Sequence, residues 1–155
     1  MSYVARCTHL VRRFLGSLSR RPPAVSDTAW AESLLAPAEV ALWRRMGVAD
    51  RRHAIDVAHR FAERAPGAGR PAMAGALLHD VGKLDSGLGT FGRVGATLVP
   101  ARWVSGRFAR YRDHEAIGAA MLREAGSDPL TVALVARTDG SPAELVAALA
   151  AADDI

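Results

Sequence analysis

Three stretches of this 155-residue chain carry side chains able to share one metal ion: His53, the adjacent pair His79-Asp80, and Asp153 near the carboxyl end. Neighbouring residues on a helix point about 100 degrees apart, so His79 and Asp80 reach a common ion only if it sits beside a helix end. Gly82, two places on, is consistent with such an end. A second imidazole from another helix and a second carboxylate from the last helix complete a four-ligand protein site with positions left for water or substrate. Two nitrogen and two oxygen donors suit Mn, Fe, Co, Ni or Zn better than Mg or Ca, which favour all-oxygen shells. An ion so held acidifies a coordinated water and neutralises charge on substrate oxygens. Asp153 and Asp154 at a helix carboxyl end oppose the helix dipole, a penalty that a nearby cation removes.

Lys83 stands out by composition. Of 20 basic residues it is the single lysine, the rest being arginine, and it lies three places after Asp80. A compact ammonium and a planar guanidinium are not interchangeable around an anion, so this position is a candidate for binding substrate charge. The densest basic run, Arg107 to Arg112, precedes His114 and includes Arg110 and Arg112, which either grip an anion or form a solvated face.

The elements that must position these residues read as helices, because runs of β-branched residues with period-two alternation are missing. A basic amphipathic segment spans roughly Tyr3 to Leu18 and is expected to lie on the domain as a peripheral helix, with a membrane-surface helix as the alternative. A second helix is expected after a cap at Ser26 or Asp27, carrying Trp30, Leu34 and Leu35, and a third from Pro37 to Gly47. Asp50 is the predicted cap of the next, which puts His53 in its first turn on the face of Val57 and Phe61. There the helix dipole favours the neutral imidazole that binds metal. A helix from Pro71 to His79-Asp80 is rich in small residues. A glycine-rich connection runs from Gly82 to Gly92. Asp113 is expected to cap a helix that ends before Gly126, and another begins near Asp128-Pro129. Ser141 and Glu144 read as a capping box for the last helix.

Taken together, His53, the string Leu77-Leu78-His79-Asp80-Val81-Gly82-Lys83 and Ala152-Asp153 resemble, in order, the HD superfamily of metal-dependent phosphohydrolases, over about Asp50 to Ile155. The resemblance implies an all-α fold, and with the helices read above the expectation is a single-domain helical bundle over residues 26–155, with residues 1–25 as a peripheral basic segment. It implies one divalent metal on His53, His79, Asp80 and Asp153, with Mn first among Mn, Fe, Co, Ni, Zn and Mg. Hydrolysis of a phosphate ester of a small molecule follows, a nucleotide being the leading candidate, with Asp80, Lys83 and His114 as catalytic residues and Lys83, Arg110 and Arg112 on the phosphate. Binuclear members carry a further histidine before the final aspartate, where this chain reads Ala136-Arg137-Thr138-Asp139. That departure favours one metal, with His114 either a general acid or a phosphate ligand.

Other classes are weighed by the same residues. A non-catalytic metal- or nucleotide-binding module of the same type is the main alternative. A diiron oxygenase needs more histidines than are here. Net charge is +4 with a pI near 10.2, but the arginines are spread along the chain, so no specific nucleic-acid partner is expected. A homo-oligomer is compatible with the sequence. With 50% hydrophobic residues, one cysteine and no apolar run of membrane-spanning length, the chain reads as a globular domain without internal disulfides or a transmembrane segment, and its expected location is the cytoplasm.

Overall fold

A computed structural model describes residues 21–86, 114–138 and 140–154. The described residues form helices and no strand: α1 (Val25–Ser33), α2 (Pro37–Arg45), α3 (Val48–Arg64), α4 (Arg70–Leu78), the short α5 (Lys83–Ser86), α6 (His114–Glu124), α7 (Pro129–Ala136) and α8 (Ala143–Asp153). The all-α bundle expected from the sequence is therefore what the described residues form. None of these helices is long and apolar enough to cross a membrane. The amphipathic segment at 3–18, Trp103, Arg110, Arg112 and the predicted cap Asp113 lie outside the described residues.

α4 is the centre. Every residue from Ala72 to Leu78 is buried, which requires neighbours on all sides and small side chains to admit them. α3 and α7 pack directly against it, α6 packs on α7, and α8 on α3. Gly75 sets the closest approach, since a Cβ there would stand 3.1 Å from Leu134 Cβ on α7. α7 is apolar all round, with Thr131 to Val135 buried, as a helix sealed between others must be. Its one hydroxyl there is satisfied: Thr131 Oγ1 donates to Pro71 O at 2.9 Å. Trp43, Phe61, Leu77, Leu78, Leu122, Leu134 and Leu149 fill the interior. Each such side chain contributes roughly 1.5–3 kcal/mol of burial free energy. Trp30 is only half-buried and stacks on the exposed His59, ring centroids 4.1 Å apart.

Three predicted helix starts move. α1 begins at Val25, ahead of Ser26, with Ala24 at the cap and no side-chain hydrogen bond; the Ser26 hydroxyl donates to Asp27 instead. α3 begins at Val48 after Gly47, two residues before the predicted cap, because extended Gly47 already starts the helical hydrogen bonding through Arg51 N–H. Asp50 thus sits within the first turn and His53 in the second, beyond the dipole's main reach. α8 begins at Ala143 with Pro142 at the cap, and Ser141 Oγ donates back to Thr138 O at 3.0 Å, so the predicted capping box does not form. The analogous Ala36-Pro37-Ala38-Glu39 stretch makes half of one: Ala36 N–H donates to Glu39 Oε2 at 2.7 Å, while alanine has no hydroxyl to return the bond. Pro37, by contrast, opens α2 and Asp128 caps α7, accepting from Leu130 N–H at 2.8 Å.

Candidate metal centre

The end of α4 is where the chemistry gathers. His79 closes the helix in right-handed geometry, with φ −55° and ψ −28°, and its ring folds back so that Nδ1–H donates to Ala76 O at 2.9 Å. A carbonyl can only accept, so in the neutral ring the proton is on Nδ1 and the lone pair on Nε2. Nε2 is buried and has no hydrogen-bond partner. An orphaned, fully desolvated imidazole nitrogen is costly in a purely structural role.

That nitrogen points into a cluster. Ligand atoms of His53, His79 and Asp153 lie within 4.8 Å of one another, from α3, the end of α4 and the end of α8. His53 Nε2 donates to Asp153 Oδ1 at 2.9 Å, and His79 Nε2 lies 3.7 Å from the same oxygen. The two imidazoles meet edge to face with centroids 5.5 Å apart. Ligand atoms about 2.1 Å from a shared ion stand about 3–3.5 Å apart, close to these separations. The group fits a divalent ion on three counts: the orphaned Nε2, the convergence of three elements, and a mixed nitrogen and oxygen donor set suited to a transition metal. An ordinary His–Asp pair would account for His53 and Asp153 but would leave His79 Nε2 without a hydrogen bond, its nearest carboxylate oxygens lying 3.6 and 3.7 Å away.

Asp80 joins this cluster from the side. Its Oδ2 is 3.6 Å from His79 Nε2 and is ion-paired with Lys83, while Oδ1 lies 3.6 Å from His114 Nε2. Burial alone would raise its pKa, but the charges of His79, Lys83 and His53 override burial and hold the carboxyl well below its ordinary range. For His79, burial opposes the imidazolium, yet the carboxylates of Asp80 and Asp153 outweigh it and raise the pKa above its usual value. Each metal ligand expected from sequence is thus within this neighbourhood, with Asp80 facing Lys83 and His114 as much as the three-residue cluster. The Lys83 ammonium, expected to meet substrate, has a carboxylate as its immediate neighbour.

Comparison with family models, curated proteins and solved structures finds no match. The site therefore stands on its own geometry.

Four residues position it: Gly82, read from sequence only as a helix terminator, and Gly118, Arg60 and Arg137, to which the sequence assigned no role. Gly82 and Gly118 let the start of α6 rest on the turn after His79-Asp80. A Cβ on Gly82 would collide with His114 O at 1.9 Å, and one on Gly118 would stand 3.1 Å from Gly82 N. This contact brings His114 to Asp80. Arg60 Nε donates to Ala152 O at 2.8 Å and anchors the last turn of α8 beside Asp153. Its place seven residues after His53, two turns along one helix face, was a readable signal. Arg137, at the position read from sequence only as lacking a histidine, has Nε 2.9 Å from Glu115 Oε1 and Nη2 3.8 Å from Asp153 Oδ2.

Proposed function

We propose that this chain is a divalent-metal-dependent phosphohydrolase of the HD type, acting on a small phosphorylated molecule, with nucleotides as the first class to test. The orphaned Nε2 of buried His79, facing His53 and Asp153, carries the reading. His53, His79 and Asp153 would hold the ion, with Asp80 beside them. When bound, such an ion supplies Lewis acidity toward a phosphoryl oxygen and lowers the pKa of water.

The protein residues around it divide the remaining work. Asp80 is kept ionised by its cationic neighbours, so its carboxylate is available to orient the attacking water as a hydrogen-bond acceptor. Lys83 lies with its ammonium at that carboxylate and offers charge to the phosphoryl group as substrate enters. His114, 3.6 Å from Asp80 on the opposite oxygen, would deliver a proton to the leaving oxygen. His79 and Asp80 are buried, which strengthens the electrostatic contacts they make.

The test is phosphate release from a nucleotide panel with Mn, Co, Ni, Fe and Mg added separately, for wild type and Asp80→Asn. Metal-dependent release by wild type, reduced at least about 100-fold in Asp80→Asn, is the expected result. Equal release by the variant would contradict the assignment. Metal binding without turnover of any phosphate ester would favour the non-catalytic binding module.

A further inference from the structure

Arg137 ends α7 in a conformation that suits glycine. Its φ of 51° and ψ of 42° lie in the left-handed region, and it is the single non-glycine residue with positive φ among those described. Helices commonly close on such a residue, but a Cβ there is penalised and glycine is the usual occupant. The backbone at this position gains nothing from arginine, so the reason for a side chain must be what that side chain reaches.

It reaches across to two other helices. Nε meets Glu115 Oε1 on α6 at 2.9 Å, and Nη2 lies 3.8 Å from Asp153 Oδ2 at the end of α8, an electrostatic contact longer than a hydrogen bond. The side chains of Arg137 and Glu115 are 38% and 37% exposed, and pairs as open as this add little to folding stability. Asp153 meanwhile turns its other oxygen, Oδ1, to His53 and His79. One carboxylate is therefore shared between a guanidinium on one oxygen and two imidazoles on the other.

We propose that Arg137 is a positioning residue for the metal centre: anchored by Glu115, it holds Asp153 Oδ2 and so presents Oδ1 to the ion. Glu115 neutralises the guanidinium, which keeps its charge from repelling the cation. This rests on the metal reading above. Partners that orient a ligating carboxylate typically change metal affinity about 10- to 100-fold when removed.

Titration calorimetry with Mn2+ alone, on wild type, Arg137→Gly, Arg137→Lys and His79→Ala, separates the outcomes, alongside thermal melts of each in chelator. Arg137→Gly should keep or raise the metal-free melting temperature, because glycine relieves the left-handed backbone, while weakening Mn2+ binding about 10-fold or more. Arg137→Lys, which retains charge but not the two-pronged reach, should recover part of that affinity. Arg137→Gly binding Mn2+ as tightly as wild type would overturn the proposal, as would a lowered metal-free melting temperature, which would make the arginine a structural cap. Wild type binding no more Mn2+ than His79→Ala would overturn the metal reading itself, and this one with it.

Discussion

At the scale of the residue, His79 is committed at one nitrogen and without a hydrogen bond at the other, and that asymmetry would make it a pH-dependent ligand of the proposed ion. Its folded pKa lies above the ordinary 6.5 because Asp80 and Asp153 outweigh the burial that opposes its charge. Stability from this source is complete below pH 6.5 and is lost as pH rises through the raised value. Asp80 runs the other way: its folded pKa lies below the ordinary 3.8, so its contribution is present above that pH and disappears as pH falls through the lowered value. Metal-free protein should thus melt highest between about pH 4 and about pH 6.5. Metal affinity should rise with pH beyond that window, because the ion takes the neutral imidazole and displaces the proton from His79. Melts in chelator paired with Mn2+ titrations across this range check both slopes; a melting temperature that climbs steadily from pH about 6 to about 9 would contradict the assignment. The three residues of the candidate metal cluster, His53, His79 and Asp153, and their neighbour Asp80 were legible in the sequence because histidine and aspartate announce chemistry by type. Arg137 and Glu115 were not, since arginine and glutamate are ordinary surface residues until a fold brings them to a ligand's far oxygen.

At the scale of the element, the turn that joins α4 to α5 is shaped by what lies on top of it. Gly82 was readable as a helix terminator, yet its tighter constraint is the backbone of α6, which leaves no room for a methyl group. Gly82→Ala should therefore displace His114 from Asp80 and cost about 1–3 kcal/mol or more, the range for forced overpacking. Gly118→Ala, whose Cβ meets neighbours at 3.1–3.2 Å, should cost less. Denaturant unfolding of both variants checks the order, and a Gly82→Ala protein as stable as wild type would remove the close-approach argument. Helix existence was legible from apolar spacing on α3, where Val57 and Phe61 are buried on one face, but helix starts were legible only in part: Pro37 opens α2 and Asp128 caps α7 as expected, while Ser26, Asp50 and Ser141 do not cap theirs. Ser141 illustrates why: the hydroxyl had a nearby carbonyl to bond, Thr138 O, and no local pattern tells which partner wins.

At the scale of the molecule, the centre joins helices remote in sequence. His53 on α3 and Asp153 on α8 meet across nearly the whole described fold, and His79 reaches them from its middle. An ion held by all three would link α3, α4 and α8 and stabilise the native state by mass action, about 2.7 kcal/mol at an ion concentration 100 times the Kd. For a domain of this size that is a melting-temperature rise of several degrees. The measurement that bears most directly on this account is metal content and melting temperature of the same purified protein, wild type against His79→Ala, with Mn2+ and with chelator. One ion per chain and a metal-dependent rise in wild type, both absent in His79→Ala, is the predicted result. The same metal content and the same rise in His79→Ala would mean that the cluster around His79 does not hold the ion.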